Sequence, residues 1–249
     1  MDKYGLIGYP LEHSFSISYF NQKFVDEGID AVYENFEIPT IDMLSEVIDS
    51  NPVLKGFNIT IPYKQKVMPF LDFISPEARA IGAVNVVKVE RTAGKIVLTG
   101  YNSDVIGFTK SIEPMLNNHS KALILGTGGA SAAIDYGLKS LGLETVFVSR
   151  YQRPNTIQYE NITPDVVREY NVIVNCTPCG MYPHVDECPK LPYEAMDEQT
   201  ILYDLIYNPD TTLFMQKGAE HGATTKNGLE MLLLQAFASW DFWNGKGAH

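Results

Sequence analysis

The chain has 249 residues, 45% of them hydrophobic and 20% charged, a composition that excludes disorder, collagen and coiled coil and leaves one large domain or two modest ones. Lys and Arg total 19 against 30 Asp and Glu, and the net charge of −11 argues against sequence-independent nucleic-acid binding and against an anionic membrane surface as a partner. No apolar run approaches the ~20 residues that span a bilayer, the apolar stretch before Pro10 is too short for a secretory signal, and three cysteines suit a reducing compartment, so a cytoplasmic protein is expected.

The segment GLIGY at 5–9 reads as a strand, and Ile17, Phe20, Phe24 and Val25 then recur at helical spacing until Gly28. AVYENFEI at 31–38 is a second strand, Met43, Leu44, Val47 and Ile48 mark a second helix, and LKGFNI at 54–59 is a third strand. Residues 63–70, after Pro62, read as a short helix. Strands alternating with helices predict a mainly parallel sheet. AVNVVKVE at 83–90 and KIVLTG at 95–100 flank Thr92, Ala93 and Gly94 as a hairpin.

A second alternating series follows. Residues 104–116 are predicted as a helix, 121–126 as a strand, 130–141 as a helix and 145–150 as a strand. Further strands are predicted at 171–175 and 201–205, and helices at 213–221 and 229–243. The expected architecture is therefore two α/β domains: residues 1–103, completed by a C-terminal helix within 228–249, and a Rossmann-type domain over 104–227.

In LILGTGGASAA at 123–133 an apolar strand runs into Gly126, Gly128 and Gly129, and small residues from Ala130 open a helix. In a dinucleotide fold such glycines allow the tight turn and the approach of a pyrophosphate to helix amides; the same turn also occurs without a ligand. The next strand ends in Ser149, Arg150, Tyr151, Gln152 and Arg153, with no carboxylate between 145 and 153. Two arginines and a hydroxyl there favour NADP, whose 2′-phosphate wants cations, over NAD; a solvated loop with surface arginines is the plainer reading.

In the first domain, Ser14 and Ser16 follow one strand, while Asn58, Thr60 and Lys64 lie at and beyond the end of another. Ligands in open α/β sheets bind at the carboxyl ends of strands, so these groups are expected to face one crevice as a set suited to a small polyhydroxy acid. Taken singly, the serines also suit helix caps, Asn58 a turn, and Lys64 a surface. Cys176, Cys179, His184 and Cys188 have the spacing C-x2-C-x4-H-x3-C, one residue short of a zinc knuckle. Prolines at 178 and 183 and a strand directly before Cys176 weigh against zinc, and no metal is expected.

Eight ordered motifs resemble the shikimate dehydrogenase family: GYPLEHSFS, GFNITIPYK, GAVNVV, GYNSDVIGF, GTGGASAA, VIVNCTPCGM, LYDLIYNPDTTLF and NGLEMLLLQA, running from Gly8 to Ala236. The resemblance implies NADPH-dependent reduction of 3-dehydroshikimate to shikimate in aromatic amino-acid biosynthesis. It assigns Ser14, Ser16 and Tyr207 to the substrate carboxylate and Thr60, Asn85, Asp104 and Gln235 to ring hydroxyls. Lys64 and Asp104 become the catalytic pair, Gly126, Gly128, Gly129 and Ala130 the pyrophosphate turn, and Ser149, Arg150 and Arg153 the adenosine side.

Ser149 and Tyr151 flank Arg150 where the family usually has Asn and Thr, Ser103 and Val105 flank Asp104 where it has Thr and Gly, and Asn227 replaces a usual Asp. The competing readings are a quinate/shikimate dehydrogenase using NAD and a metabolite sensor on the same fold. The implied partner is the small-molecule substrate, with no nucleic acid and no membrane, and the chain is expected to be a monomer or homodimer.

Overall fold

Five consecutive buried residues in β1 (Asp2–Gly8) mark a strand covered on both faces, the signature of a sheet interior flanked by helices. The structure, a computed structural model, describes residues 1–11 and 15–246. It divides into two compact units, one of Met1–Ser103 with Ala236–His249 and one of Asp104–Gln235.

The first unit contains β1, α1 (Phe15–Asp26), β2 (Ala31–Glu37), α2 (Leu44–Ser50), β3 (Leu54–Ile59), β4 (Phe73–Ile74), α3 (Pro76–Ile81), β5 (Val86–Thr92) and β6 (Lys95–Tyr101). The strand order is β2-β1-β3-β5-β6-β4. β1 pairs in parallel with β2 and β3, whereas β5 runs antiparallel to both β3 and β6. That reversal brings the start of β5 to the same sheet edge as the ends of β1 and β3.

A mainly aliphatic core around Ile7, Leu44, Leu54, Ile59 and Val87, with Phe57 among them, forms one part of the interior. A second part is aromatic: Tyr4, Phe20, Phe24 and Tyr33 meet Trp240 and Trp243 with ring centroids 4.8–6.3 Å apart. The Trp243 indole donates to the Val87 carbonyl at 3.0 Å and lies against Gly56, where any side chain would collide with it.

The second unit contains α4 (Asp104–Ile112), β7 (Lys121–Leu125), α5 (Ser131–Ser140), β8 (Glu144–Ser149), β9 (Thr156–Gln158), α6 (Pro164–Glu169), β10 (Val172–Asn175), β11 (Ile201–Asp204), α7 (Leu213–Ala219) and β12 (Thr224–Lys226). The final helix, α8 (Leu229–Trp243), begins in this unit and ends in the first. The six strands are all parallel in the order β12-β11-β10-β7-β8-β9, the doubly wound Rossmann arrangement. The chain winds outward from β7 through β8 and then in the other direction through β10, so the ends of β7 and β10 flank the point where ligands bind in such sheets.

The hairpin forms as predicted, with Ala93 and Gly94 at φ 51° and 78° between the paired Thr92 and Lys95. The helix predicted over 63–70 does not: those residues form turns and a single 3₁₀ turn, Met68–Phe70. Pro69 is the reason, since it has no N–H for an α-helical bond and disfavours helical geometry at Met68. Pro114 likewise ends α4 early and leaves a 3₁₀ turn at Glu113–Met115. No described helix is long and apolar enough to cross a membrane.

Candidate active site

At the end of β7, Gly126 donates its N–H to the Val148 carbonyl (2.9 Å) and adopts φ +98°. A Cβ there would lie 2.8 Å from the Thr177 methyl, so both conformation and space call for glycine. Gly128 and Gly129 differ. Neither has a positive φ and neither has an atom near a would-be Cβ, so the fold itself does not require glycine at either position, whereas a ligand lying on the turn does. The Ser131 hydroxyl donates to the Gly128 carbonyl at 2.6 Å and shapes the turn. Ala130, at the N-cap of α5, provides no side-chain cap, which leaves the helix N-terminus open to an anion.

The turn borders a cavity of about 960 Å³, at the upper end for small-molecule sites. Gly126, Gly128, Ser149, Arg150 and Arg153 line it; Gly129 and Ala130 lie outside its lining, in the approach to α5. Both arginines are exposed, the guanidinium of Arg153 donates to the Thr127 hydroxyl (3.0 Å), and that of Arg150 sits 6.0 Å from the Tyr151 ring. Buried Ser149 accepts from the Tyr151 N–H at 3.2 Å. An open glycine turn with two guanidinium groups on the next strand's exit fits a dinucleotide carrying an extra phosphate.

Thr127, Tyr159 and Thr177 also line this cavity, and sequence reasoning missed them. The N-x-T spacing was a signal for Thr177, and the hydroxyl between two glycines was one for Thr127. Burial pushes the Tyr159 hydroxyl up to about 12. It also raises the Cys176 thiol, with the Asp204 charge adding to the effect, and raises Cys179 in the same way. Among the described residues, no group of three or more His, Cys, Asp or Glu is placed to hold a metal ion.

In the first unit, Thr60 follows β3 and is pinned to β1 by its N–H on the Ile7 carbonyl (2.9 Å). The Lys64 carbonyl accepts from Val84 N–H (2.8 Å), and Asn85 N–H donates to the Tyr101 carbonyl (3.0 Å). Thr60, Lys64 and Asn85 therefore gather at one sheet edge, the edge from which Ser16 rises in the first turn of α1.

A buried polar network fixes this edge from beneath. The Tyr33 hydroxyl, hydrogen-bonded to Ser16, donates to Asn58 Oδ1 (2.9 Å), and Asn58 Nδ2 donates to Ser239 (2.9 Å) and to the Asn85 carbonyl (3.2 Å). Ser239 meets Ser103 (3.1 Å), and the Asn85 side chain accepts from Ser103 N–H (2.7 Å) and donates to its hydroxyl (3.0 Å). Asn58 thus serves as a support, not a surface turn. Ser14 lies outside the described residues.

The remaining candidates belong to the second unit. Asp104 opens α4 and is buried, at the helix end whose dipole favours a carboxylate. Tyr207, 42% exposed, follows β11. Gln235 is half-buried in α8, where Gly107 of α4 packs closely against Met231 and Gln235.

A doubly wound sheet with an open glycine turn and a cation-lined cavity is the arrangement of a dinucleotide-dependent oxidoreductase. The shikimate dehydrogenase substrate binding domain matches residues 6–87. A shikimate dehydrogenase (NADP(+)) of Methanococcus maripaludis (strain C6) is 36% identical over 262 residues, covering 97% of this chain and 91% of its own. The chain belongs to the shikimate dehydrogenase family.

Two solved structures extend the comparison. The shikimate 5-dehydrogenase of Thermus thermophilus in complex with NADP(H) and shikimate gives a TM-score of 0.85 at 28% identity, covering 98% of this chain and 94% of that one. The shikimate 5-dehydrogenase of Listeria monocytogenes in complex with shikimate and NAD gives 0.87 at 27% identity, covering 99% and 92%.

Proposed function

We infer that the chain is an oxidoreductase acting on a CH–OH group, interconverting 3-dehydroshikimate and shikimate with NADP(H) in aromatic amino-acid biosynthesis. The observation that carries this reading is the pair of guanidinium groups beside an open glycine turn, in a chain related over nearly its full length to NADP-dependent shikimate dehydrogenases. Incubation with shikimate and NADP⁺ should produce NADPH absorbance, with quinate and NAD⁺ as poorer alternatives. Silence with every pair would overturn the enzymatic reading.

Gly126, Gly128, Gly129 and Ala130 would hold the pyrophosphate, and Ser149, Arg150 and Arg153 the adenosine end. NADPH, when bound, supplies the hydride. Reduction of the carbonyl leaves negative charge on its oxygen, and Lys64 supplies the proton there; in the reverse direction it receives that proton. Asp104 orients the Lys64 ammonium and accepts a ring hydroxyl. Thr60, Asn85 and Gln235 hold ring hydroxyls, while Ser14, Ser16 and Tyr207 hold the carboxylate. Hydroxyl donors suit that task because an anion approaching this acidic chain needs local partners. The reading includes a cytoplasmic location and a monomer or homodimer.

Arg150→Ala should raise KM for NADPH roughly 10- to 100-fold, the scale of a charge-assisted contact, and leave KM for NADH unchanged. Retained preference would show that this loop does not select the phosphate. Ser16→Ala should weaken shikimate binding by about 1–3 kcal/mol, with kcat less affected. A drop in melting temperature at constant KM would instead assign Ser16 to the helix start.

A further inference from the structure

Asn175 and Asp204 end β10 and β11, stand opposite each other in register, and are fully buried. Buried polar side chains need complete partners, and these have them. Asn175 Oδ1 accepts from the Thr177 N–H (3.0 Å) and hydroxyl (2.6 Å), which turns Nδ2 toward Asp204 Oδ1 (3.0 Å) and the Cys179 carbonyl (3.4 Å). Asp204 Oδ1 also accepts from Ile206 N–H (3.1 Å), and Oδ2 accepts from the Thr212 hydroxyl (2.7 Å). Thr212, the N-cap of α7, accepts in turn from Met215 N–H (3.4 Å).

We propose that Asp204 is a positioning residue for the cofactor wall: its carboxylate fixes the Asn175 amide, and that amide fixes the Thr177–Cys179 segment lining the cavity. The proposal rests on reading the cavity as the NADP(H) site. The wall has little slack, because Thr177 is the residue that a side chain at Gly126 would strike. A neutral acid at 204 fits this pattern poorly, since the three groups that meet its oxygens all donate. Accommodating its proton requires the Thr212 hydroxyl or the Asn175 amide to turn, and turning the amide releases Thr177.

Burial pushes the Asp204 carboxyl up to about 6, against the pull of its three hydrogen bonds, so its charge is lost as pH falls through that value. The titratable groups facing it are Cys176 and Cys179, after β10, and Tyr193, in the turn Tyr193–Ala195. All three are raised by burial and stay protonated throughout this range. On the flanking elements, Lys217 of α7 lies over the Tyr193 ring, Lys226 of β12 pairs with Glu230, and Lys121 of β7 pairs with Glu169.

The test is NADPH affinity of the full chain by nicotinamide fluorescence from about pH 5 to 8, beside steady-state kinetics. The native protein should bind NADPH less tightly as pH falls through about 6. Asp204→Asn should bind about 10-fold less tightly at neutral pH, with KM for shikimate unchanged and an acid limb reduced to that of the cofactor's own 2′-phosphate, which titrates at pH ~6. Thr212→Val removes one donor that lowers the carboxyl, so it should shift the acid limb to higher pH; it carries the test should Asp204→Asn fail to fold. A lower melting temperature with native NADPH affinity and an unmoved acid limb in both variants would overturn the proposal alone. Absence of NADPH binding by the native protein would overturn the cofactor reading and this proposal with it.

Discussion

Lys64→Ala is expected to lower kcat by about 10²–10⁴-fold, the usual scale for losing a positioned proton donor. The local backbone should survive, because the residue 64 carbonyl accepts from Val84 N–H and alanine preserves that bond. NADPH affinity should also persist, since the glycine turn and both arginines lie in the other unit. Asp104→Asn keeps size and hydrogen-bonding capacity but removes the charge proposed to orient the ammonium, so it should impair both kcat and KM. If the two act together, the double variant is little worse than Lys64→Ala alone. Stopped-flow and steady-state rates with shikimate and NADP⁺ measure all three. Near-normal turnover in Lys64→Ala would make the lysine a bystander and assign the proton transfer to another group.

Gly128→Val should separate ligand from fold. With no positive φ and open space around the new side chain, the variant should melt within a degree or two of the native protein. A branched side chain on the pyrophosphate turn should nevertheless weaken NADPH binding by roughly 100-fold, about 2.7 kcal/mol. Gly126→Val provides the contrast: positive φ and the nearby Thr177 methyl make it lose stability as well as affinity. Native-like NADPH binding in Gly128→Val would remove the turn from the cofactor site.

Residues whose chemistry is local were legible in the sequence. The strand-to-glycine turn at 123–133 announces itself because strand periodicity stops where glycines begin, and the hairpin at 92–95 because two residues there must adopt positive φ. The short elements β4, α3, β9, α6 and β12 carry too few residues for a period to show. The helix expected over 63–70 failed on one residue, Pro69, whose missing N–H outweighed a favourable apolar pattern. The Asn175–Asp204 pair was illegible for a different reason: it joins residues 29 positions apart, and only the register of two parallel strands brings an amide to a carboxylate. Asn58 was misjudged on the same ground, since its partner Ser239 stands 181 positions away.

The aromatic seam around Trp240 and Trp243 bears on how this chain leaves the ribosome. Tyr4, Phe20, Phe24 and Tyr33 are made early, yet the indoles that cover them and the Ser239 hydroxyl that satisfies Asn58 come from the far end of the sequence. An emerging N-terminal segment can pair its strands but must keep an aromatic face and a buried amide unfinished while the whole second unit is translated. The second unit, by contrast, is a continuous stretch of chain and can mature as it appears. The order of completion is thus the reverse of the order of synthesis. A chain ended before residue 236 and released from the ribosome would present a folded nucleotide-binding half tethered to a first half still open to chaperones.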